Sequence, residues 1–174
     1  DASALFSWFP VGAMILTPLL GWFLDNKGKG ASMLIAGALL MSACHLIFAI
    51  YPLDGSESSY FVAYAAIIVL GISFSLVPAA LWPSVPKLVE NRYLGSAYSV
   101  IFWIQNIGLW AFPIIIGKAL VWANPGVEAG GEYDYKVPML IFASLGVLAF
   151  LLGIWLKAED KKKGYGLEEA NIKK

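Results

Sequence analysis

Five long apolar segments constrain the fold of this 174-residue chain more than any other feature of its sequence. A bilayer core about 30 Å thick takes about 20 helical residues to cross. Backbone amides cannot remain unpaired in lipid, and the segments are too long for barrel strands. We therefore predict an all-α polytopic membrane bundle of five transmembrane helices, followed by a tail over 158–174. The predicted spans are 4–24, 31–51, 60–82, 94–122 and 137–156.

The composition supports a membrane location. Hydrophobic residues make up 59% of the chain, charged residues make up 14%, and the mean hydropathy is +0.72. Soluble domains have about 45–50% apolar and about 25% charged residues. A formal net charge of zero gives no indication of a nucleic-acid partner. One cysteine, Cys44, and one histidine, His45, are too few for a disulfide or a thiolate or imidazole metal site, so we expect no metal and no cofactor.

Basic residues alternate between the two sides of the predicted bundle. The second connection has no lysine or arginine, and the fourth has only Lys136. By the positive-inside rule, the first and third connections and the tail are predicted to be cytoplasmic. The first residue of the chain then lies outside and the last lies inside. The basic residues on the cytoplasmic side are Lys27, Lys29, Lys87, Arg92, Lys157, Lys161, Lys162, Lys163, Lys173 and Lys174.

The first connection has the pattern Gly-x-x-x-Asp-x-x-Gly-Lys, formed by Gly21, Asp25, Gly28 and Lys29. A carboxylate at the C-terminal end of a helix is unfavourable because the helix dipole is already negative there. Asp25 is therefore expected to need a partner, either a lysine or the N-terminus of another helix. Gly28 allows a tight reversal of the chain, and Lys29 can lie among anionic headgroups.

A stripe of small residues precedes this loop. Ala13, Thr17 and Gly21 recur every four residues and continue to Asp25. Small residues at this spacing allow another helix to approach closely in a membrane. We therefore expect a helix-packing surface that ends at the loop.

The loop pattern resembles the signature loop of the major facilitator superfamily, a large family of secondary transporters. In that family the loop joins the second and third helices of each six-helix half. Asn26 and Gly30 stand where basic residues are common, which resembles the copy in the C-terminal half. The resemblance implies that the five spans are helices eight to twelve. Helix seven and the N-terminal half would then be missing, as in a fragment.

This resemblance implies a transporter that moves a small organic solute by alternating access, and not an enzyme. Gly21, Asp25, Gly28 and Lys29 would form a cytoplasmic gate motif. Asp25 would dock on the N-terminus of a helix in the missing N-terminal half of the same transporter. The amides within 94–97 would receive the equivalent aspartate from that half.

A second block is similar to the lysosomal dipeptide uniporter branch and its bacterial relatives. It comprises the segments 81–86, 93–98 and 105–109, with Ser99 in place of an expected glycine. This likeness implies a peptide or an amino-acid-like solute. The connections on the outer side contain no Asn-x-Ser/Thr acceptor, which suits a bacterial inner membrane.

Polar and aromatic side chains at mid-membrane depth are candidates for the substrate cavity, because the family's helices ten and eleven border it. A buried amide or hydroxyl costs free energy unless it is paired. The alternatives are hydrogen bonds between helices, worth about 0.6 kcal/mol on average, or hydroxyls bonded to their own helix backbone. The candidates are Gln105, Asn106, Ser73, Ser75, Tyr64 and Trp103.

Two other functions fit parts of the sequence. A self-contained oligomeric membrane channel or assembly protein would also need five apolar helices. A membrane-embedded enzyme could use His45 with Ser42, although no further catalytic pattern accompanies them. We interpret His45 as a neutral, hydrogen-bonded packing residue. We also expect the tail to be a short helix followed by disorder.

Overall fold

The computed structural model describes residues 2–52, 54–128 and 131–172, and side chains from residue 12 onward. The described residues form helices and connections without strands, which confirms the all-α prediction. Four helices, α2 to α5, are long and apolar enough to cross a membrane in the described part of the chain. The helices are α1 (Ala2–Lys27), α2 (Gly30–Ile50), α3 (Glu57–Leu88), α4 (Leu94–Ala123) and α5 (Lys136–Lys163), with a 3-10 turn at Asn91–Tyr93 before α4.

Two helices extend well beyond the apolar segments that predicted them. Helix α3 continues to Leu88 and α5 to Lys163, past the predicted ends at 82 and 156. Helix α5 ends at Lys163 and is capped by Gly164, whose φ of 68° is left-handed and whose amide donates to the Asp160 carbonyl at 2.7 Å. This is the usual way in which a glycine terminates a helix.

Helix α2 is the centre of the bundle, with α3 on one side and α5 on the other. Gly146 of α5 lies directly against Ser42 of α2, where a Cβ on the glycine would be 2.8 Å from the Ser42 Cβ. A Cβ on Gly37 of α2 would likewise be 3.1 Å from a methyl group of Val77 in α3. Small residues therefore allow close approach on both sides of α2.

The other helices surround this trio. Helix α1 packs along α3, and α4 contacts α5 and α3. Where α1, α2 and α3 meet, a buried cluster fills the space near the end of α1. Helix α4 has no buried residue in the described part of the chain. The buried cluster consists of Leu24, Met33, Leu76, Ala79 and Ala80.

We call one end of the bundle the basic end. It carries the α1–α2 loop, the α3–α4 connection and residues 164–172. Of the tail predicted over 158–174, residues 158–163 belong to α5, and from here on the tail means residues 164–172. The expectation of a disordered tail is wrong for these residues, because they pack across the α1–α2 loop. Lys173 and Lys174 lie outside the described residues.

Candidate functional site

The α1–α2 loop reverses the chain at two consecutive residues with positive φ. Gly28 has a φ of 75° and Lys29 a φ of 74°. The Gly28 amide donates to the Leu24 carbonyl at 2.8 Å, which closes α1. A left-handed conformation costs about 1–3 kcal/mol at a residue other than glycine, so the surroundings must hold Lys29 in place.

The tail provides part of that support through its backbone. The Lys29 amide donates to the Glu168 carbonyl at 3.1 Å, and the Gly30 amide donates to the Leu167 carbonyl at 2.9 Å. The Leu167 side chain is buried. Sequence reasoning missed this contact, because backbone carbonyls far along the chain leave no local pattern that predicts it.

Glu168 adds its carboxylate to the start of α2. It accepts hydrogen bonds from the Ser32 amide at 2.8 Å and from the Ser32 hydroxyl at 2.7 Å. The ammonium groups of Lys157 and Lys29 lie 3.5 Å and 3.9 Å from the same carboxylate. Partial burial raises the pKa of Glu168. The hydrogen bonds from Ser32 and the charge of Lys157 lower the pKa by more than burial raises it, so it lies below the ordinary value.

Lys87 connects the tail to the end of α3. Its ammonium group donates to the Gly166 carbonyl at 2.9 Å and to the Glu169 carbonyl at 2.8 Å. Ser84, one turn earlier, donates its hydroxyl to the Ala80 carbonyl at 2.6 Å and faces the start of α2. The block over 81–86 therefore adjoins the α1–α2 loop and the tail.

Asp25 is half-buried at this junction. One carboxylate oxygen accepts a hydrogen bond from the Asn171 amide at 2.8 Å, and the Asp25 backbone carbonyl accepts one from the Ile172 amide at 3.0 Å. The sequence predicts a lysine or a helix N-terminus as its partner. The described structure gives it a side-chain amide from the same chain.

The small-residue stripe remains open within the described chain. A Cβ placed on Gly21 would meet no atom within 4 Å, and Ala13 and Thr17 are only half-buried. Close helix packing on this stripe therefore stays a prediction.

The cavity candidates separate into two groups. Ser73 and Ser75 of α3 are fully buried. Ser73 donates to the Gly37 carbonyl of α2 at 2.7 Å, and Ser75 donates to the Gly71 carbonyl of its own helix at 2.9 Å. Each hydroxyl thus has a backbone acceptor, and a role of these two serines in the cavity stays a prediction.

The remaining candidates lie on open faces. Trp103, Gln105 and Asn106 are exposed on α4, and Tyr64 is exposed on α3. Asn106 donates its amide to the Phe102 carbonyl one turn earlier at 2.7 Å, which leaves its carbonyl oxygen as a potential acceptor. Three of the six candidates thus lie within one turn of α4, where Trp103 and Asn106, three residues apart, are neighbours and Gln105 points to a different face from Trp103.

An aromatic contact joins this part of α4 to α3. The rings of Trp82 and Phe102 stack at 5.1 Å between centroids, and the Tyr98 hydroxyl donates to the Trp82 carbonyl at 3.2 Å. Such contacts fix the angle of α4 against α3. They position the exposed turn at 103–106.

The geometry disfavours an enzyme based on His45 and Ser42. The Ser42 hydroxyl donates its single proton to the Ala143 carbonyl at 2.9 Å. The Nδ1 atom of His45 lies 2.7 Å from the Met41 carbonyl, which can only accept, so Nδ1 carries the proton. The Ser42 hydroxyl and the His45 Nδ1 atom thus each bond a backbone carbonyl, which agrees with a packing role for both.

Comparison with known proteins indicates the family. The sequence profile of the Major Facilitator Superfamily matches residues 1–171. The lysosomal dipeptide transporter MFSD1 of Bos taurus is 32% identical over 87% of this chain and 29% of the relative's length. The Danio rerio counterpart is 31% identical over 91% of the chain and 31% of its own length. The Homo sapiens counterpart is 31% identical over 87% of the chain and 29% of its own length. The chain thus spans about a third of these relatives. No solved structure matches it.

Proposed function

This chain belongs to the Major Facilitator Superfamily, and we propose that it forms helices eight to twelve of a twelve-helix secondary transporter. Transporters of this kind bind solute near the midplane between two repeats and alternate access by rocking one against the other. In this proposal the bundle forms one wall of the cavity and its basic end faces the cytoplasm. The N-terminal half of the same protein forms the opposite wall. The family and its relatives point to a transporter rather than an enzyme.

The observation that carries the gate proposal is the position of Asp25 at the end of an open stripe. Gly21 has free space where a side chain would point, and Asp25 lies half-buried one turn further along α1. A helix from the other half can approach along Gly21 and present its N-terminal amides to the Asp25 carboxylate. Breaking and forming that contact would couple the cytoplasmic surface to the rocking motion.

We propose dipeptides or amino-acid-like molecules as the solute class. The relatives named above are dipeptide transporters, which supports this class. The exposed turn of α4 offers an indole, an amide and an amide carbonyl, from Trp103, Gln105 and Asn106. Amide groups of this kind pair with the peptide group of a dipeptide. Tyr64 of α3 is a further candidate for the cavity wall.

We further propose the bacterial inner membrane as the location. The short outer connections lack glycosylation acceptors, which supports it. The names of the relatives place those proteins in the lysosome. Membrane fractionation of source cells with an antibody against the tail tests this point, and signal in an internal membrane would contradict it.

Transport by the full-length protein in proteoliposomes tests the function. We expect saturable uptake of labelled alanyl-alanine and faster uptake when unlabelled dipeptide is loaded inside, because one site faces the two sides in turn. Conductance without saturation or counterflow would instead indicate a channel.

A pair of aspartate variants tests the gate. Asp25→Asn should slow uptake, because the carboxylate loses its charge toward the opposing helix. Asp54→Asn is the matched control, since Asp54 is an exposed carboxylate at the other end of the bundle. Equal uptake by the wild type and both variants would overturn the gate role of Asp25.

A further inference from the structure

Helix α2 begins without a capping bond from the side chain of its own N-cap residue. Its N-cap residue, Lys29, makes no side-chain capping bond. Serine, threonine, asparagine or aspartate normally provides that bond by accepting from the first amides of the helix. Here the amides of Lys29, Gly30 and Ser32 donate to the tail instead.

Glu168 accepts two of these three bonds. Its backbone carbonyl accepts from the Lys29 amide, and its carboxylate accepts from both the amide and the hydroxyl of Ser32. Lys157 of α5 donates to the same Ser32 hydroxyl at 2.6 Å and lies beside the carboxylate. A residue 136 positions along the chain from Ser32 therefore performs the task of a local capping residue.

The rest of the tail is fastened at independent points. The Leu167 amide donates to the buried carboxylate of Asp160 at 3.0 Å. Lys87 binds the carbonyls of Gly166 and Glu169 from the end of α3. The tail is thus attached to α5, to α3 and to the α1–α2 loop.

Gly28 shows how closely the tail approaches the loop. A Cβ at this position would clash with the Glu168 carbonyl and would lie 2.5 Å from the Glu169 carbonyl carbon. Real Cβ atoms do not approach other atoms so closely. The glycine of the gate motif therefore accommodates both the left-handed turn and the tail backbone.

The same segment ends on Asp25. Three residues after Glu168, the Asn171 side chain donates to the Asp25 carboxylate. The next amide, of Ile172, donates to the Asp25 backbone carbonyl. The position of the tail, to which Glu168 contributes, thus determines the surroundings of the Asp25 carboxylate.

We propose that Glu168 is a positioning residue for transport: it clamps the tail to the start of α2 and thereby holds the α1–α2 loop so that Asp25 faces the opposing half. This inference rests on the proposed gate role of Asp25. Glu168 itself lies outside the solute path and acts through the loop.

The clamp itself is tested by hydrogen exchange in the full-length protein. Glu168→Ala should speed exchange at the amides of Lys29, Gly30 and Ser32. Glu169→Ala is the matched control, because it removes an adjacent glutamate with an exposed side chain and leaves the backbone bonds in place. Unchanged protection at these three amides in Glu168→Ala would overturn the proposal, whatever the protein transports.

The consequence for transport is tested by kinetics. In proteoliposomes, Glu168→Ala should lower the maximal rate roughly fivefold while KM for alanyl-alanine stays within about twofold, because loss of a cap disturbs the loop and not the cavity. Glu168→Asp keeps the charge and should recover part of the rate. If Glu168 had only a structural role, Glu168→Ala would reduce the amount of folded transporter and leave the rate per folded molecule unchanged. That result would overturn the proposal.

Asp25→Asn, measured in parallel, separates the two proposals. If Asp25→Asn slows transport and Glu168→Ala does not, the positioning role fails while the gate role stands. If Asp25→Asn has no effect, the gate role fails, and the exchange measurement alone decides whether Glu168 caps α2.

Discussion

Asp25 and Asn171 are 146 residues apart in the chain, yet the Asn171 amide nitrogen lies 2.8 Å from a carboxylate oxygen of Asp25. Asp25 lies at the C-terminal end of α1, where the helix dipole disfavours a negative charge. The amide compensates for part of this cost by donating a hydrogen bond. A neutral donor can also be displaced by stronger partners, such as the N-terminus of a docking helix.

Replacing Asn171 by aspartate should detach the end of the tail. Asn171→Asp puts a second carboxylate against Asp25, and like charges at hydrogen-bond distance repel. We expect faster hydrogen exchange at the Ile172 amide, which donates to the Asp25 carbonyl in the docked tail. Asn91→Asp, at an exposed asparagine of the same basic end, is the control. Equal exchange in both variants would show that the pair does not hold the tail.

Gly28→Ala should destabilise the protein more than substitution of a glycine whose new methyl group meets open space. The left-handed φ alone costs about 1–3 kcal/mol for a residue with a side chain, and the new methyl group would also push against the tail. Melting of the full-length protein in detergent measures the effect. Gly117→Ala should melt with the wild type, because a methyl group there meets open space in α4. A Gly28→Ala variant that melts with Gly117→Ala would contradict the tight packing.

The outline of the bundle follows from the sequence because lipid permits few alternatives. Apolar length and the need to pair every backbone amide predict five helices, and Gly28 predicts the tight turn. The direction in which a helical serine points does not follow, because a hydroxyl toward a cavity and one toward a neighbouring helix look the same in the sequence. Ser73 is an example: the sequence marks it as a cavity candidate, but only the structure shows that its hydroxyl bonds the Gly37 carbonyl of α2.

The tail shows a second limit of sequence reasoning. Its polar, glycine-containing composition is typical of a disordered segment. The bonds that order it use the backbone carbonyls of Leu167 and Glu168, which any sequence offers. Only the geometry reveals that Glu168 faces Ser32 and that Lys87 reaches the tail. Long-range polar contacts of this kind leave no periodic pattern.

The contact between α2 and α5 should tolerate no added volume. Gly146→Ala places a methyl group 2.8 Å from the Ser42 Cβ, so the helices must separate. Overpacking of this kind costs about 1–3 kcal/mol. Gly117→Ala on α4 is the matched control, since its methyl group would meet open space. A lower melting temperature for Gly146→Ala alone is expected, and equal melting would contradict the close crossing.

Acid should release the tail from α2. Partial burial raises the pKa of Glu168, but bonds from Ser32 and the charge of Lys157 outweigh it and lower the pKa below the ordinary 4.5. A lowered pKa in the docked state means that ionised Glu168 stabilises docking above pH 4.5. That contribution is lost as the pH falls below 4.5 and through the docked-state pKa.

The distance between spin labels at Lys27 and Glu169, both exposed, measures this release. We expect a constant distance at neutral pH and a longer, broader distribution in acid. In a Glu168→Gln background the distribution should no longer respond to pH in this range, because the titrating group is gone. A transition that persists in Glu168→Gln would assign the effect to another carboxylate.

Replacing Asn106 should weaken solute binding without affecting the fold. Its side chain is exposed on α4, and its amide bonds only its own helix among the contacts seen here. Asn106→Leu keeps the branching at Cγ and does not lower the helix propensity, but it removes the carbonyl acceptor offered to a peptide amide. KM for alanyl-alanine should rise roughly tenfold, as expected when a polar contact of about 1–1.5 kcal/mol is lost.

Ser75→Ala is the control, since that hydroxyl is buried and bonds the Gly71 carbonyl of its own helix. A KM that rises in Ser75→Ala and not in Asn106→Leu would place the cavity wall on α3 instead of the turn at 103–106.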